Sequence, residues 1–85
     1  MNHFATPDFW RRHRGLPAAV RELADKNFEL LQADPQHPSV RLKQVGKFWS
    51  ARVRLHYRAL ARVRTEGLVW FWIGSHPEYE RLLKS

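Results

Sequence analysis

The sequence predicts an α+β fold: an N-terminal helical hairpin packed on a small twisted antiparallel sheet, with a short helix closing the chain. Three observations carry that expectation. Apolar residues recur every three to four positions as far as Ala33 and every second position after Pro38. The prolines and glycines mark the joints between these stretches, with no repeat and no Gly/Ser linker among them. Residues 67–74, GLVWFWIG, are apolar on both faces, as a strand covered from two sides must be. Eighty-five residues suffice for one core and not two, so residues 1–85 are read as a single domain.

Thr6-Pro7-Asp8 has the form of an N-cap followed by proline in the first turn, and Gly15 stops that helix with Phe9, Trp10 and His13 on one side. Arg11, Arg12 and Arg14 then face water. A second helix runs from Pro17 to about Ala33, where Val20, Leu23, Ala24, Asn27, Phe28 and Leu31 share a face. Arg21 with Asp25 and Glu22 with Lys26 have the spacing of surface ion pairs. Asp34-Pro35 ends the helix, because the residue before a proline is pushed out of the α region.

Strands follow. Val40 and Leu42 alternate with Arg41 and Lys43, and Gly46-Lys47 turns the chain. Trp49, Ala51, Val53 and Leu55 then alternate with Ser50, Arg52, Arg54 and His56. Past a turn near Leu55 to Tyr57, Tyr57, Ala59, Ala61 and Val63 alternate with Arg58, Leu60, Arg62 and Arg64. Thr65-Glu66-Gly67 makes a hairpin turn into the apolar strand. Ser75-His76-Pro77-Glu78 has capping-box spacing and opens the final helix, with Tyr79, Leu82 and Leu83 turned inward. Residues 2–5 have the length of a short edge strand.

Composition removes several function classes. There is no cysteine, which excludes disulfides, thiol nucleophiles and thiolate metal sites. The five histidines lack metal-binding spacing, and no phosphate-loop, dinucleotide or serine-hydrolase motif occurs. The longest apolar run is too short to span a bilayer and no secretory leader is evident, so a cytoplasmic location is the default. Eleven arginines help to set a net charge of +7, which points to a polyanion or an acidic protein as partner.

The cations Arg41, Lys43, Arg52, Arg54, Arg58, Arg62 and Arg64 alternate with core positions, which predicts one basic sheet face suited to phosphates. An ordinary solvated sheet face has the same alternation, but the lack of acids from residue 41 to 65 argues against it. His76 sits where the apolar strand passes into the last helix, a rigid position for a proton-transfer group. Tyr79 follows one turn later, and Arg52 and Arg58 are placed to stabilise charge developing on a phosphate. A capping histidine and a core tyrosine are the structural alternatives. Trp70 and Trp72 are read as core, whereas Trp49, near a turn, is open to base stacking.

The stretch FWSARVRLHYRALARVR followed by GLVWFWIGSHPEYERLL resembles the RelE/ParE superfamily of bacterial toxins. Arg41-Leu42-Lys43, the W-x-x-R-V of Trp49 to Val53, Tyr57-Arg58-Ala59-Leu60 and the I-G-[ST]-H-x-E-Y of Ile73 to Tyr79 carry the likeness, which extends from about residue 7 to 83. The resemblance implies the same α+β layout and an acidic antitoxin as partner. It also implies, for RelE-like members, cleavage of mRNA on the ribosome by attack of the substrate's 2′-hydroxyl on the adjacent phosphate. On that basis Arg58 faces the scissile phosphate, Arg52 is a basic neighbour, His76 is an acid or base, and Tyr79 lies near an aromatic position. Arg41, Lys43, Lys47, Trp49, Arg54, His56, Arg62 and Arg64 are the expected substrate-binding residues. No metal or cofactor is implied.

The lysine pair that some relatives carry on the strand from Trp49 to Leu55 is missing, so a base other than His76 is unassigned. Members of the ParE branch share the fold but inhibit DNA gyrase, and an inert antitoxin-binding module is the third alternative.

Overall fold

The computed structural model describes residues 2–84. Its elements are β1 (Asn2–Ala5), α1 (Pro7–Arg14), α2 (Ala18–Ala33), β2 (Lys43–Val45), β3 (Phe48–Arg54), β4 (Tyr57–Arg64), β5 (Gly67–Ser75) and α3 (His76–Lys84). The local signals act as the sequence suggests. Thr6 Oγ1 accepts from the Phe9 amide at 3.1 Å and caps α1. Gly46, at φ 58°, turns β2 into β3. Ser75 and Glu78 form the reciprocal cap of α3: the Glu78 amide donates to Ser75 Oγ, and Glu78 Oε1 accepts from the Ser75 hydroxyl and amide.

The sheet order is β1-β5-β4-β3-β2. It is mixed, not purely antiparallel as expected from the sequence. Residues 2–5 do form an edge strand, but they pair parallel to β5, with Asn2 opposite Gly67 and Ala5 opposite Trp70. A parallel neighbour needs a long crossover, and α1, α2 and the three following strands supply it. Gly67 is required at this junction: its φ is 143°, and a Cβ there would fall on the backbone of Asn2.

The helical hairpin is also more open than expected. Three residues join α1 to α2, yet α1 packs on β5 and α2 on β3. The helices are tied by His13 Nε2 and Asp25 Oδ1 at 2.9 Å. The expected Arg21–Asp25 pair is therefore replaced, and Arg21 donates instead to the Leu16 carbonyl at 2.6 Å.

Two cores result, one on each face of the sheet. Under α1 and α2 lie Phe9, Val20, Ala24, Leu31, Ala51, Val53, Ala59, Ala61, Leu68, Trp70 and Ile73. Under α3 lie Leu60, Trp72 and Tyr79, with Phe48, Phe71 and Leu83 at the margin. Trp70 and Trp72 are both core, as expected, but on opposite sides of the sheet: two residues apart they would share a face in a regular strand, and the register shift that sets Trp72 opposite Leu60 and Trp70 opposite Ala61 turns them apart. The alternation fails at Val63, which is 55% exposed beyond the reach of either core. Gly74 leaves room for the indole of Trp72, which a Cβ at that position would strike.

Candidate nucleic-acid site

The α3 face of the sheet carries the candidate residues, and cross-strand pairing decides which of them meet. Arg52 stands directly opposite Arg58, which stands opposite Gly74 at the end of β5. The next row is Lys43, Ser50, Leu60 and Trp72. Two guanidinium groups directly opposite on adjacent strands repel.

Arg58 has a structural task as well. Its Nη1 donates to the carbonyls of Arg54 at 2.8 Å, Leu55 at 3.2 Å and Tyr57 at 2.8 Å, and so staples the β3–β4 turn. Nε and Nη2 take no part in these bonds and are the donors left for an anion. Partial burial pushes the Arg58 pKa down, and Arg52 and then Arg41 push the same way, while Tyr79 opposes them. Arg41, Arg52, Arg58 and Tyr79 are thus electrostatic neighbours, gathered from the segment before β2, from β3 and β4, and from α3. A phosphate placed among them would relieve the repulsion between the three cations.

The same turn holds His76. Its backbone amide donates to the His56 carbonyl at 2.6 Å, joining the start of α3 to the β3–β4 turn. The imidazole lies 5.7 Å from the Tyr79 ring, centroid to centroid, and its Nε2 is 3.4 Å from Glu80 Oε1. The Glu80 carboxylate thus lies beside the imidazole, one helical turn along α3. Tyr79 is buried at 6% exposure against Leu60 and Trp72, so it is the floor of the site and a core residue at once.

The other expected residues separate from this group. Lys47, Arg62 and Arg64 lie toward the far end of β4, where Arg62 covers the Phe71 ring at 4.5 Å and Lys47 the Phe48 ring at 5.5 Å. Four residues along a strand put Arg62 about 13 Å from Arg58, with Leu60 and its α3 cover between them. The single basic face expected from the alternation is therefore two basic patches divided by a small apolar core.

Three expected residues are placed differently from the strand alternation. Trp49 pairs with Ala61 and packs against the core under α1 and α2, so it does not face the cations. A register shift after Arg52 sets Arg54 opposite Tyr57, which packs on the helix-side core, and takes Arg54 out of the row of Arg52. Arg41 is not in a strand: it stands before β2 at φ 49°, uncommon for a residue with a Cβ. His56 is exposed in the turn and contributes its carbonyl. Lys43 stays on the α3 face, one row from Arg52.

Sequence reasoning missed four residues. Glu80 lies one helical turn from His76, a spacing legible in advance. Asn27 Nδ2 donates to the carbonyls of Arg52 at 3.2 Å and Val53 at 3.0 Å, and so fixes the β3 backbone beside the site. Phe48 and Phe71 carry the second patch, and no pattern distinguishes them from ordinary core aromatics. Among the described residues no group of side chains has a metal-binding arrangement, and no helix is long and apolar enough to cross a membrane.

No protein-family model matches the sequence, and no curated protein matches it either. Solved structures do. A chain of the RelB–RelE antitoxin–toxin complex from Methanococcus jannaschii superposes with a TM-score of 0.73 at 11% identity, over 93% of this chain and 96% of that one. A YoeB/ParE toxin from Agrobacterium tumefaciens gives 0.68 at 18% identity, over 89% and 99%. The isolated RelE toxin of E. coli gives 0.63 at 18% identity, over 96% and 94%. The chain has the fold of the RelE/ParE toxins, along nearly its whole described length.

Proposed function

We propose that this protein is the toxin of a toxin–antitoxin pair, a single domain over residues 1–85 that acts in the cytoplasm and cleaves mRNA on the ribosome. The supporting observation is the gathering of Arg41, Arg52 and Arg58 around Tyr79, whose ring also neighbours the His76 imidazole. The fold shared with RelE-type toxins, one of them solved with its antitoxin, supports the toxin reading and an acidic antitoxin as partner. The +7 charge suits both that partner and RNA.

In this reading the substrate supplies its own nucleophile. The 2′-hydroxyl attacks the adjacent phosphorus, the bond to the 5′-oxygen breaks, and a 2′,3′-cyclic phosphate and a 5′-hydroxyl are left. Arg52 and the Nε and Nη2 donors of Arg58 bind the phosphate oxygens as negative charge builds on them. The His76 imidazole takes the 2′-hydroxyl proton or returns one to the leaving oxygen, with the Glu80 carboxylate beside the ring. The mRNA lies over Tyr79, with Lys43 beside it, and the ribosome holds the strand while the arginines align it.

The test is mapping of mRNA 5′ ends in a bacterial translation extract with wild type, Arg58→Ala and His76→Ala, with and without ribosomes. New ends that require ribosomes are expected, reduced about 10²–10⁴-fold by either substitution. No new ends would refute ribonuclease action, and inhibition of gyrase supercoiling by the same protein would put the ParE-type activity in its place.

A further inference from the structure

Beyond the cover of α3, one row of side chains crosses all five strands. Phe4 stands opposite Val69, Val69 opposite Arg62, Arg62 opposite Phe48 and Phe48 opposite Val45. Residues directly opposite one another share a face, and Phe48 places this row on the α3 side. Phe4 is 45% exposed, and Val69, Phe48 and Val45 are half-buried, so the row is an aromatic and aliphatic surface open to solvent. Phe71 joins it from β5, with its ring 5.4 Å from that of Phe48, centroid to centroid.

The cations of the second patch stand on these rings. The Arg62 guanidinium is 4.5 Å from the centre of the Phe71 ring and 5.9 Å from that of Phe48, and the Lys47 ammonium is 5.5 Å from the latter. One row on, Arg64 stands opposite Gly67, which has no side chain to cover it. Lys47, Phe48, Arg62, Val63 and Arg64 line an opening of about 300 Å³ with no acidic residue in its wall. None of the three cations forms an ion pair among the described residues, and neither does Glu66, the nearest acid along the chain. A ligand of bare negative charge would use the cations and leave the rings idle, and an apolar ligand would bury the cations unpaired. Single-stranded RNA uses both, because its bases stack on aromatic rings and guanidinium planes while its phosphates take the charges.

We propose that this face is a second binding site for single-stranded RNA, separate from the Arg52–Arg58 group. Bases stack on Phe48, Phe71 and the Arg62 guanidinium, and phosphates take Lys47 and Arg64. Arg62 lies about 13 Å from Arg58 along β4, so a strand bound here is anchored at two points, at this platform and at the reacting phosphate. The second anchorage rests on the proposed function, whereas binding to the platform does not. Tyr79, the ring beside Arg58, is buried, so an affinity that depends on bases reports the platform and one that depends on phosphates reports both sites.

The experiment titrates the full chain with three fluorescein-labelled probes of equal length: oligoadenylate, its abasic ribose-phosphate counterpart and an all-glutamate peptide. Oligoadenylate is expected to bind about tenfold or more tighter than the abasic strand. Phe71→Leu, which keeps an apolar side chain, is expected to remove most of that difference and to leave abasic binding unchanged. Arg62→Gln, at an exposed position, is expected to weaken oligoadenylate by about tenfold, and Lys47→Gln to weaken both strands and reduce the salt slope by about one. If Phe71→Leu lowers stability, Arg62→Gln carries the test, since an exposed side chain is not part of the core. Equal affinity for oligoadenylate and the abasic strand would overturn the proposal, as would oligoadenylate binding indifferent to Arg62→Gln. So would an all-glutamate peptide that binds as tightly as oligoadenylate, which would make the face a protein-docking surface. Base-dependent binding with these effects in a protein that makes no new mRNA ends would uphold the platform and refute the ribonuclease reading. Cleavage by a protein whose RNA affinity is independent of bases would do the reverse.

Discussion

Asn27→Ala tests how α2 holds the strand that presents Arg52. The substitution removes the hydrogen bonds from Asn27 Nδ2 to the Arg52 and Val53 carbonyls, at 3.2 and 3.0 Å. Both carbonyls lie at the register shift of β3. Each neutral hydrogen bond contributes about 0.5–1.5 kcal/mol, so the pair amounts to about 1–3 kcal/mol. In a domain of this size each kcal/mol moves the melting midpoint by about 4–8 °C, which places the expected fall near 8–16 °C for a loss of about 2 kcal/mol. Asn27→Asp is expected to be worse, because a carboxylate cannot donate and would face two carbonyl oxygens. Calorimetry and urea unfolding of the variants read both effects. A loss under about 0.5 kcal/mol in Asn27→Ala, or wild-type stability in Asn27→Asp, would refute the reasoning.

Other expectations follow from the same geometry. His3 Nδ1 accepts from Trp70 Nε1 at 3.1 Å, and its Nε2 is buried with no partner among the described residues. Burial, then the positive N-terminus, lowers the His3 pKa, so the folded state resists protonation; the stability it contributes is present above the ordinary value of 6.5 and is lost as pH falls below it. Urea unfolding at about pH 7.5 and about pH 5.5 is expected to give a larger acid loss in wild type than in His3→Phe; equal losses would contradict this. Leu60→Ala, at a side chain 1% exposed in the core under α3, is expected to cost about 2–5 kcal/mol, and a cost under about 1 kcal/mol would mean that α3 is not anchored there. Glu80→Gln is expected to slow mRNA cleavage and to shift the ¹⁵N resonances of the His76 ring, 3.4 Å from the Glu80 carboxylate. Unchanged resonances would remove Glu80 from its positioning role.

The sequence by itself determined what depends on neighbours along the chain. The caps at Thr6 and Ser75, the stops at Gly15 and Asp34, the change of period after Pro38 and the doubly buried β5 all follow from local sterics, hydrogen bonding and side-chain alternation. His76 was legible for the same reason, since it opens a capped helix, whereas the turn before Arg58 carries no glycine or proline and Arg58 was placed only by the alternation of β4.

Only the tertiary structure decided what depends on register and on distant contacts. A single shift in β3 takes Arg54 out of the row of Arg52, and the side-chain period of two makes such a slip invisible in the alternation itself. Whether residues 2–5 pair, and in which direction, depends on a partner more than sixty residues away. The α3 helix covers Leu60 and Trp72 and so divides a basic face that reads as continuous along the strands. A groove beside Arg52 exists because Arg41, in an unusual backbone conformation, faces α2 across a gap that no spacing along the chain encodes. Local rules assign each residue its element and its side, but which charges meet is set by long-range packing.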